Sequence, residues 1–292
     1  MLLSMTGFGT AQAESDGLAV AAEVRCVNNR HLKVSIRCPD SWAAKEPEIE
    51  RLIRQSISRG TVNISLRATW IGAAAESLVN RPLLEAYWDQ LKSISQQLGT
   101  PAPSLGELLS LPGVTAEQTG SGLNEENWLL VEKVILAALA NVQEFRQREG
   151  RAMRDEMRDL TGQLRAHRQF VLERAPQVIV AYRDKIRDRV NQLLQGTGSQ
   201  VTDQDLIREV SLFADKCDIT EELARLQAHL DQFDDSLDAH PSSGRKLDFL
   251  CQELNREVNT IGSKSNDVTL THRVVDAKAV VEKLREIVQN VE

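Results

Sequence analysis

Leu18-Ala-Val-Ala-Ala-Glu-Val-Arg-Cys-Val27 is the stretch on which the fold turns. Leu18, Val20, Ala22, Val24 and Cys26 alternate with Ala19, Ala21, Glu23, Arg25 and Val27. A period of two puts the first set into a core and the second on the opposite face of a sheet. The same period runs through Val34, Ile36 and Cys38, and again through Val62, Ile64, Leu66, Ala68 and Trp70. Asn28-Asn29 suits a turn after the quoted run. Between Cys38 and Val62 the period becomes helical: Ile49, Leu52, Ile53 and Ile57 recur over Lys45 to Ser58, with Gly60 as a candidate C-cap. The N-terminal unit is therefore expected to be an α+β domain, an antiparallel sheet with a backing helix.

Beyond Trp70 the period changes from two to helical. Arg81 to Leu98 reads as a helix that Gly99-Thr-Pro-Ala-Pro-Ser104 breaks. Gly113 to Asn124, polar and bearing three glycines, is the candidate hinge. From Glu125 the spacing predicts helices over 125–174, 177–195, 202–216, 219–235, 245–261 and 266–290. Pro176, Gly196-Thr-Gly-Ser199 and His240-Pro-Ser-Ser-Gly244 punctuate them. Gly150, inside the first, costs about 1 kcal/mol relative to Ala. The expected organisation is an α+β domain over 1–75, a helical linker or hinge region over 76–124, and a long, mostly α-helical part over 125–292 carrying the site.

Charge narrows the function. Across 292 residues, 42 acidic side chains outweigh 35 basic ones for a net charge of −7. That excludes a protein that grips nucleic acid by bulk positive charge, and it leaves room for a local basic groove. Aromatics make up only 4% of the chain, which argues against a base-stacking platform. Arg25, Lys33, Arg37 and Arg67 fall on the non-core sheet face, opposed there by Glu23; a phosphate-contacting surface and a merely solvated or covered face both remain open. No apolar run approaches the roughly 20 residues of a membrane span. Met1 to Gly7 lacks the features of a signal peptide. A cytoplasmic protein with no membrane partner is expected. Cys26, Cys38, Cys217 and Cys251 have no CxxC spacing and read as buried, reduced packing residues rather than zinc ligands.

Two segments could carry chemistry. Asp218-Ile-Thr-Glu-Glu-Leu-Ala-Arg-Leu-Gln-Ala-His-Leu230 opens with a capping-box pattern, Asp218 followed by Glu221. Ile219, Leu223, Leu226 and Leu230 form its core stripe, and Asp218, Glu222, Arg225 and His229 a second stripe about a quarter turn away. In Gly244-Arg-Lys-Leu-Asp-Phe-Leu-Cys-Gln-Glu-Leu-Asn-Arg-Glu-Val-Asn-Thr-Ile-Gly-Ser-Lys-Ser265, the residues Leu247, Leu250, Cys251, Leu254, Val258 and Ile261 face a core. Phe249, Glu253, Arg256 and Thr260 lie nearly opposite, flanked by Glu257 and Asn259. Acids, arginines and an imidazole on one face suit a divalent ion or a phosphate. They equally suit an exposed helix laced with ion pairs. Ser265, Asn266 or Asp267 would cap the last helix. His31, His167, His240 and His272 read as ordinary surface or cap residues. Gly7-Phe-Gly9 is not a nucleotide fingerprint, and the chain has no Walker A, HExxH or GxSxG sequence.

These residues resemble a known family. Ser4-Met-Thr-Gly-Phe-Gly9, Val27-Asn-Asn-Arg-His-Leu32, Arg59-Gly-Thr-Val-Asn-Ile64, Leu111-Pro-Gly-Val114, both segments above and the ending Gln289-Asn-Val-Glu292 are similar, in order, to blocks of the bacterial YicC/YloC family of endoribonucleases. Cys251 is a small departure, standing where a less reactive residue is expected. The resemblance implies a cytoplasmic, divalent-metal-dependent RNase that assembles as a hexamer. By matching positions it implies catalytic residues Glu222, Arg225, His229, Glu253, Arg256 and Glu257, with Glu222, His229, Glu253 and Glu257 as ligands of Mn²⁺ or Mg²⁺. RNA contacts would come from Arg25, Arg30, Arg67, Arg245, Lys246, Asn259 and Lys264. In that reading the carboxylates hold the metal and the cations offset charge on the phosphoryl oxygens, while His229 is either a ligand or a general acid–base. The competing reading is a non-catalytic oligomeric RNA-binding protein, in which the acids only pair with the cations.

Overall fold

The computed structural model describes residues 2–71, 79–114, 125–195, 202–239 and 244–292. The chain divides into two compact units, Met5–Arg146 and Met1–Ser4 with Gln147–Glu292. The change of period at 124/125 marks where a helix begins. The chain passes from one compact unit to the other only after Arg146, because the first turns of that helix pack onto the sheet.

In the first unit, β1 (Gly7–Ser15), β2 (Leu18–Val27), β3 (Lys33–Arg37) and β4 (Thr61–Trp70) form one sheet in the order β1-β2-β4-β3. β1 and β2 are joined by Asp16-Gly17, both at positive φ, as a two-residue hairpin with right-handed strand twist requires. β2 pairs antiparallel with β4, placing Val24 opposite Ile64. β3 runs parallel to β4, so the sheet is mixed and not wholly antiparallel. The cause is the connection: a 3₁₀ turn at Asp40–Lys45 and α1 (Glu46–Ser56) return the chain to the end where β3 began, as a parallel crossover must. The buried alternate residues of β2 and β4 pack against Ile49, Leu52 and Ile53 of α1 and against Val131, Val134, Ile135 and Val142 of the long helix. Gly9 permits this contact, since a Cβ there would meet the Ala138 carbonyl oxygen at 2.4 Å. Gly60 is not the C-cap of α1. Ile57 holds that position, and Gly60 (φ 110°) instead turns the chain beside the carbonyl of Val27. α2 (Arg81–Leu98) ends at Gly99 as expected, and α3 (Leu105–Leu109) is a short helix capped by Ser104 and Glu107.

α4 runs from Glu125 to Leu193 without a break at Pro176, contrary to the expected division at 174–177. Proline removes one backbone donor, and the surrounding packing of Val171 and Val178 keeps the helix whole. The second unit joins the distal part of α4 to α5 (Asp203–Lys216), α6 (Thr220–Asp238), α7 (Gly244–Lys264) and α8 (Val268–Val288). The stripes read from the sequence are its core: Leu223, Leu226 and Leu230 meet Leu250, Leu254 and Val258, with Val274, Val281 and Leu284 of α8. Arg165 of α4 bonds Asp231 at 2.7 Å and Asp234 at 2.8 Å, fixing α4 against α6. The N-terminal residues close this unit: Ser4 bridges to Val291, and Glu292 N–H donates to the Leu3 carbonyl at 2.9 Å. The candidate hinge lies mostly outside the described residues, as do the 196–199 and 240–243 breaks.

Candidate metal centre

α6 and α7 lie side by side, each burying its apolar stripe, and this sets their charged faces together. His229 of α6 meets Glu253 and Glu257 of α7, with one ligand atom from each all within 4.8 Å of one another. Glu257 is buried and the other two are half-buried. His229 Nδ1 is buried without a hydrogen-bond partner. Glu253 and Glu257 are four apart and face one way along the helix. Two carboxylate oxygens and an imidazole nitrogen at this separation fit one divalent cation. A carboxylate-rich set suits Mn²⁺ or Mg²⁺.

Cations ring the cluster. Arg225 reaches Glu257 at 3.8 Å while pairing with Glu221 on its own helix. Arg256 stands 3.6 Å from Glu253. Further along, Glu222 does not join the cluster. Its buried carboxylate accepts from Lys264 Nζ at 2.8 Å, and its second oxygen is unpartnered. Burial works to raise the pKa of Glu222. The hydrogen bond and charge of Lys264, a backbone donor and the charge of Arg225 outweigh it and hold the carboxyl below its usual range. Lys264 Nζ also donates to the Asp218 carbonyl at 2.9 Å. Asp218 does not form the expected capping box: its carboxylate accepts from Thr220 N–H and Oγ1, and Ile219 is the cap residue. These two bonds from Thr220 pull its pKa down. The cap of α8 is Asp267, which accepts from Leu270 N–H and pairs with Arg174 at 2.9 Å.

The remaining candidates are spread out. Asn259 is exposed and donates to Asn255 at 3.2 Å. Arg245 and Lys246 are exposed in the first turn of α7, about two turns before Glu253. Phe249, 56% exposed, precedes Glu253 by one turn on the same face. Arg25, Arg30 and Arg67 belong to the other compact unit. Arg25 bonds Glu23 at 2.6 Å and lies over the Phe8 ring, Arg30 is exposed, and Arg67 lines a shallow hollow of about 530 Å³ on the outer sheet face with Thr10, Gln12 and Glu23. Of the cysteines, Cys26 and Cys251 are buried as expected, while Cys38 and Cys217 are half-buried, and all are free thiols. The sequence reading missed the Glu222–Lys264 pair. A Glu on a mixed face gives no sign of which cation 42 residues later will neutralise it.

Residues 2–155 match the family model described as "Endoribonuclease YicC-like, N-terminal region", and residues 171–292 match "Endoribonuclease YicC-like, C-terminal". A protein of Clostridioides difficile (strain 630) named "Probable endoribonuclease YicC" is 30% identical, the alignment covering 100% of both chains. One of the same name from Haemophilus influenzae (strain ATCC 51907 / DSM 11121 / KW20 / Rd) is 31% identical, again over 100% of each. The matched C-terminal region contains every residue of the cluster between α6 and α7, and the chain belongs to the YicC-like endoribonuclease family.

Proposed function

We propose that this protein is a divalent-metal-dependent endoribonuclease that cuts phosphodiester bonds in small regulatory RNA or mRNA. The observation that carries the reading is the convergence of His229, Glu253 and Glu257 beside Arg225 and Arg256. The names of the full-length relatives support RNA as the substrate. A cation held by the three side chains would activate water and offset charge on the phosphodiester. Arg225 and Arg256 sit where they can turn from their glutamate partners to the phosphoryl oxygens, and Lys264 offers a third positive charge further along α7. Arg245, Lys246 and Asn259 would extend the backbone contacts on α7, with Arg25, Arg30 and Arg67 as those of the sheet unit.

The proposal includes a cytoplasmic homo-oligomer, a hexamer by family resemblance. Light scattering on the eluting protein checks this, and a monomer would overturn it.

Cleavage of an end-labelled RNA with Mn²⁺, and with EDTA, tests the activity. Expected are metal-dependent products with 5′-phosphate and 3′-hydroxyl ends. Products ending in 2′,3′-cyclic phosphate would make His229 an acid–base group acting on the 2′-hydroxyl. Salt-sensitive RNA binding without cleavage would favour a non-catalytic binding protein instead.

A further inference from the structure

Where the far end of α4 faces α5 and the α7–α8 junction there is a cleft of about 360 Å³, within the size range of small-molecule sites, ~300–1,000 Å³. Tyr182 and Phe213 line it, their rings stacked with centroids 3.6 Å apart and planes at 11°. Both are half-buried, so this pair is neither core nor fully solvated. We propose that this cleft is a nucleobase subsite for the RNA strand. The inference rests on the endoribonuclease reading and adds to it a second place where substrate is held.

The chemistry points to one nucleotide. A stacked ring pair is a rigid apolar wall, and a base inserted against it extends the stack whatever its identity. Lys185 lies three residues after Tyr182, on the same side of α4, and is exposed, placed for the phosphate of that nucleotide. Asn266 supplies an amide that can read a base edge. Its Nδ2 donates to Cys217 Sγ at 3.4 Å, and sulfur is a weak acceptor readily exchanged for a better one. Of the acids nearby, Asp267 spends its charge on Arg174 and on the α8 cap, and Glu209 accepts from the Tyr182 hydroxyl at 3.4 Å.

The cleft and the site share the α5–α6 junction. Asn266 bonds Cys217, and two residues earlier Lys264 bonds the carbonyl of Asp218, so both hold the same α5–α6 junction. Lys264 in turn lies about 10 Å along α7 from Glu257. A single strand crossing the His229–Glu253–Glu257 cluster and passing Lys264 arrives at the Tyr182–Phe213 wall within a few nucleotides. The base held there would set the register of the cut.

The test uses the full-length protein in EDTA, so that no cleavage intervenes. Fluorescence anisotropy is read with a labelled single-stranded oligoribonucleotide, and with a matching strand that carries abasic positions. Tyr182→Ala is expected to weaken binding on the order of ten-fold. Tyr182→Phe keeps the ring and binds as the wild type does. Abasic positions weaken the wild type but add no further loss to Tyr182→Ala. Lys185→Gln reduces the log–log salt slope by about 0.7. A natively folded Tyr182→Ala protein with wild-type affinity, or one that still loses affinity on abasic strands, overturns the subsite alone. If that variant lacks the native circular dichroism spectrum, Tyr182→Leu, which retains apolar bulk against Phe213, is read by the same criteria. A wild type that neither binds nor cuts RNA overturns the subsite and the endoribonuclease reading together.

Discussion

Lys264 Nζ lies 2.8 Å from Glu222 Oε1, joining the last turn of α7 to the first turn of α6. Only 7% of the Glu222 side chain is exposed, so the pair neutralises a carboxylate that the core would otherwise expel. Lys264→Met is expected to cost about 1–3 kcal/mol, less than a fully buried pair because the lysine is partly solvated. Chemical denaturation at neutral pH measures it. The depressed pKa of Glu222 fixes the pH dependence. Its contribution is complete above the ordinary carboxylate pKa and disappears as pH falls through the lowered folded-state value. The stability of Glu222→Gln should therefore fall less steeply than that of the wild type on acidification below about pH 4. Parallel curves would show that the pair contributes nothing.

Metal binding should report directly on the cluster. With Mn²⁺ at a hundred times its dissociation constant, the wild type gains about 2.7 kcal/mol of stability, seen as a raised Tm. Glu253→Ala and His229→Ala each remove a ligand and should abolish most of that rise while leaving the metal-free Tm close to the wild type's. An equal Mn²⁺-induced shift in all three proteins would place the ion elsewhere.

Two helical glycines should respond in opposite directions. By helix propensity alone, Gly150→Ala gains about 1 kcal/mol. In the fold, a Cβ at Gly150 would stand 2.2 Å from the Leu2 carbonyl oxygen, so this substitution lowers Tm. Gly162 has nothing within 4 Å of its would-be Cβ, and Gly162→Ala should gain about 0.5–1 kcal/mol. Calorimetry on the two variants separates propensity from packing; equal gains would contradict the Leu2 contact.

Cys251 should be inert despite being a thiol in the α7 segment. Burial first, then the charge of Asp248, pushes its pKa up to about 12. At pH 8 that leaves about one thiolate in ten thousand. Cys38 is also raised, by burial and by Glu46 and Asp40, yet it is partly accessible. Labelling of the native protein should therefore modify Cys217 and Cys38 and spare Cys251 until unfolding. Rapid native labelling of Cys251, located by peptide mapping, would contradict its place in the core.

Side-chain periodicity determined much of this protein before any packing was known. The alternation through Leu18–Cys26 and Val62–Leu66 reappears as the buried face of β2 and β4, and the stripes of α6 and α7 as the helical core, because a face that must leave water is written into local spacing. The same spacing placed His229, Glu253 and Glu257 off those stripes. The Asp16-Gly17 turn between β1 and β2 was not read from spacing, because its two positive φ values lie between the alternating runs rather than within them.

What spacing could not determine is which surfaces meet. The parallel pairing of β3 with β4, the uninterrupted α4 through Pro176 and the need for glycine at 150 all depend on partners distant in sequence. So does the division of labour among the acids. Glu222 and Glu257 look alike on their helices, but the antiparallel approach of α6 and α7 brings Lys264 to one and His229 to the other. The low aromatic content argued against base stacking, and only the folding of α5 against α4 brought Tyr182 and Phe213 into one wall. Local sequence sets which face a residue takes, because that follows from backbone geometry. Its partner, and with it charge state and chemistry, is set by contacts that form only when the helices pack.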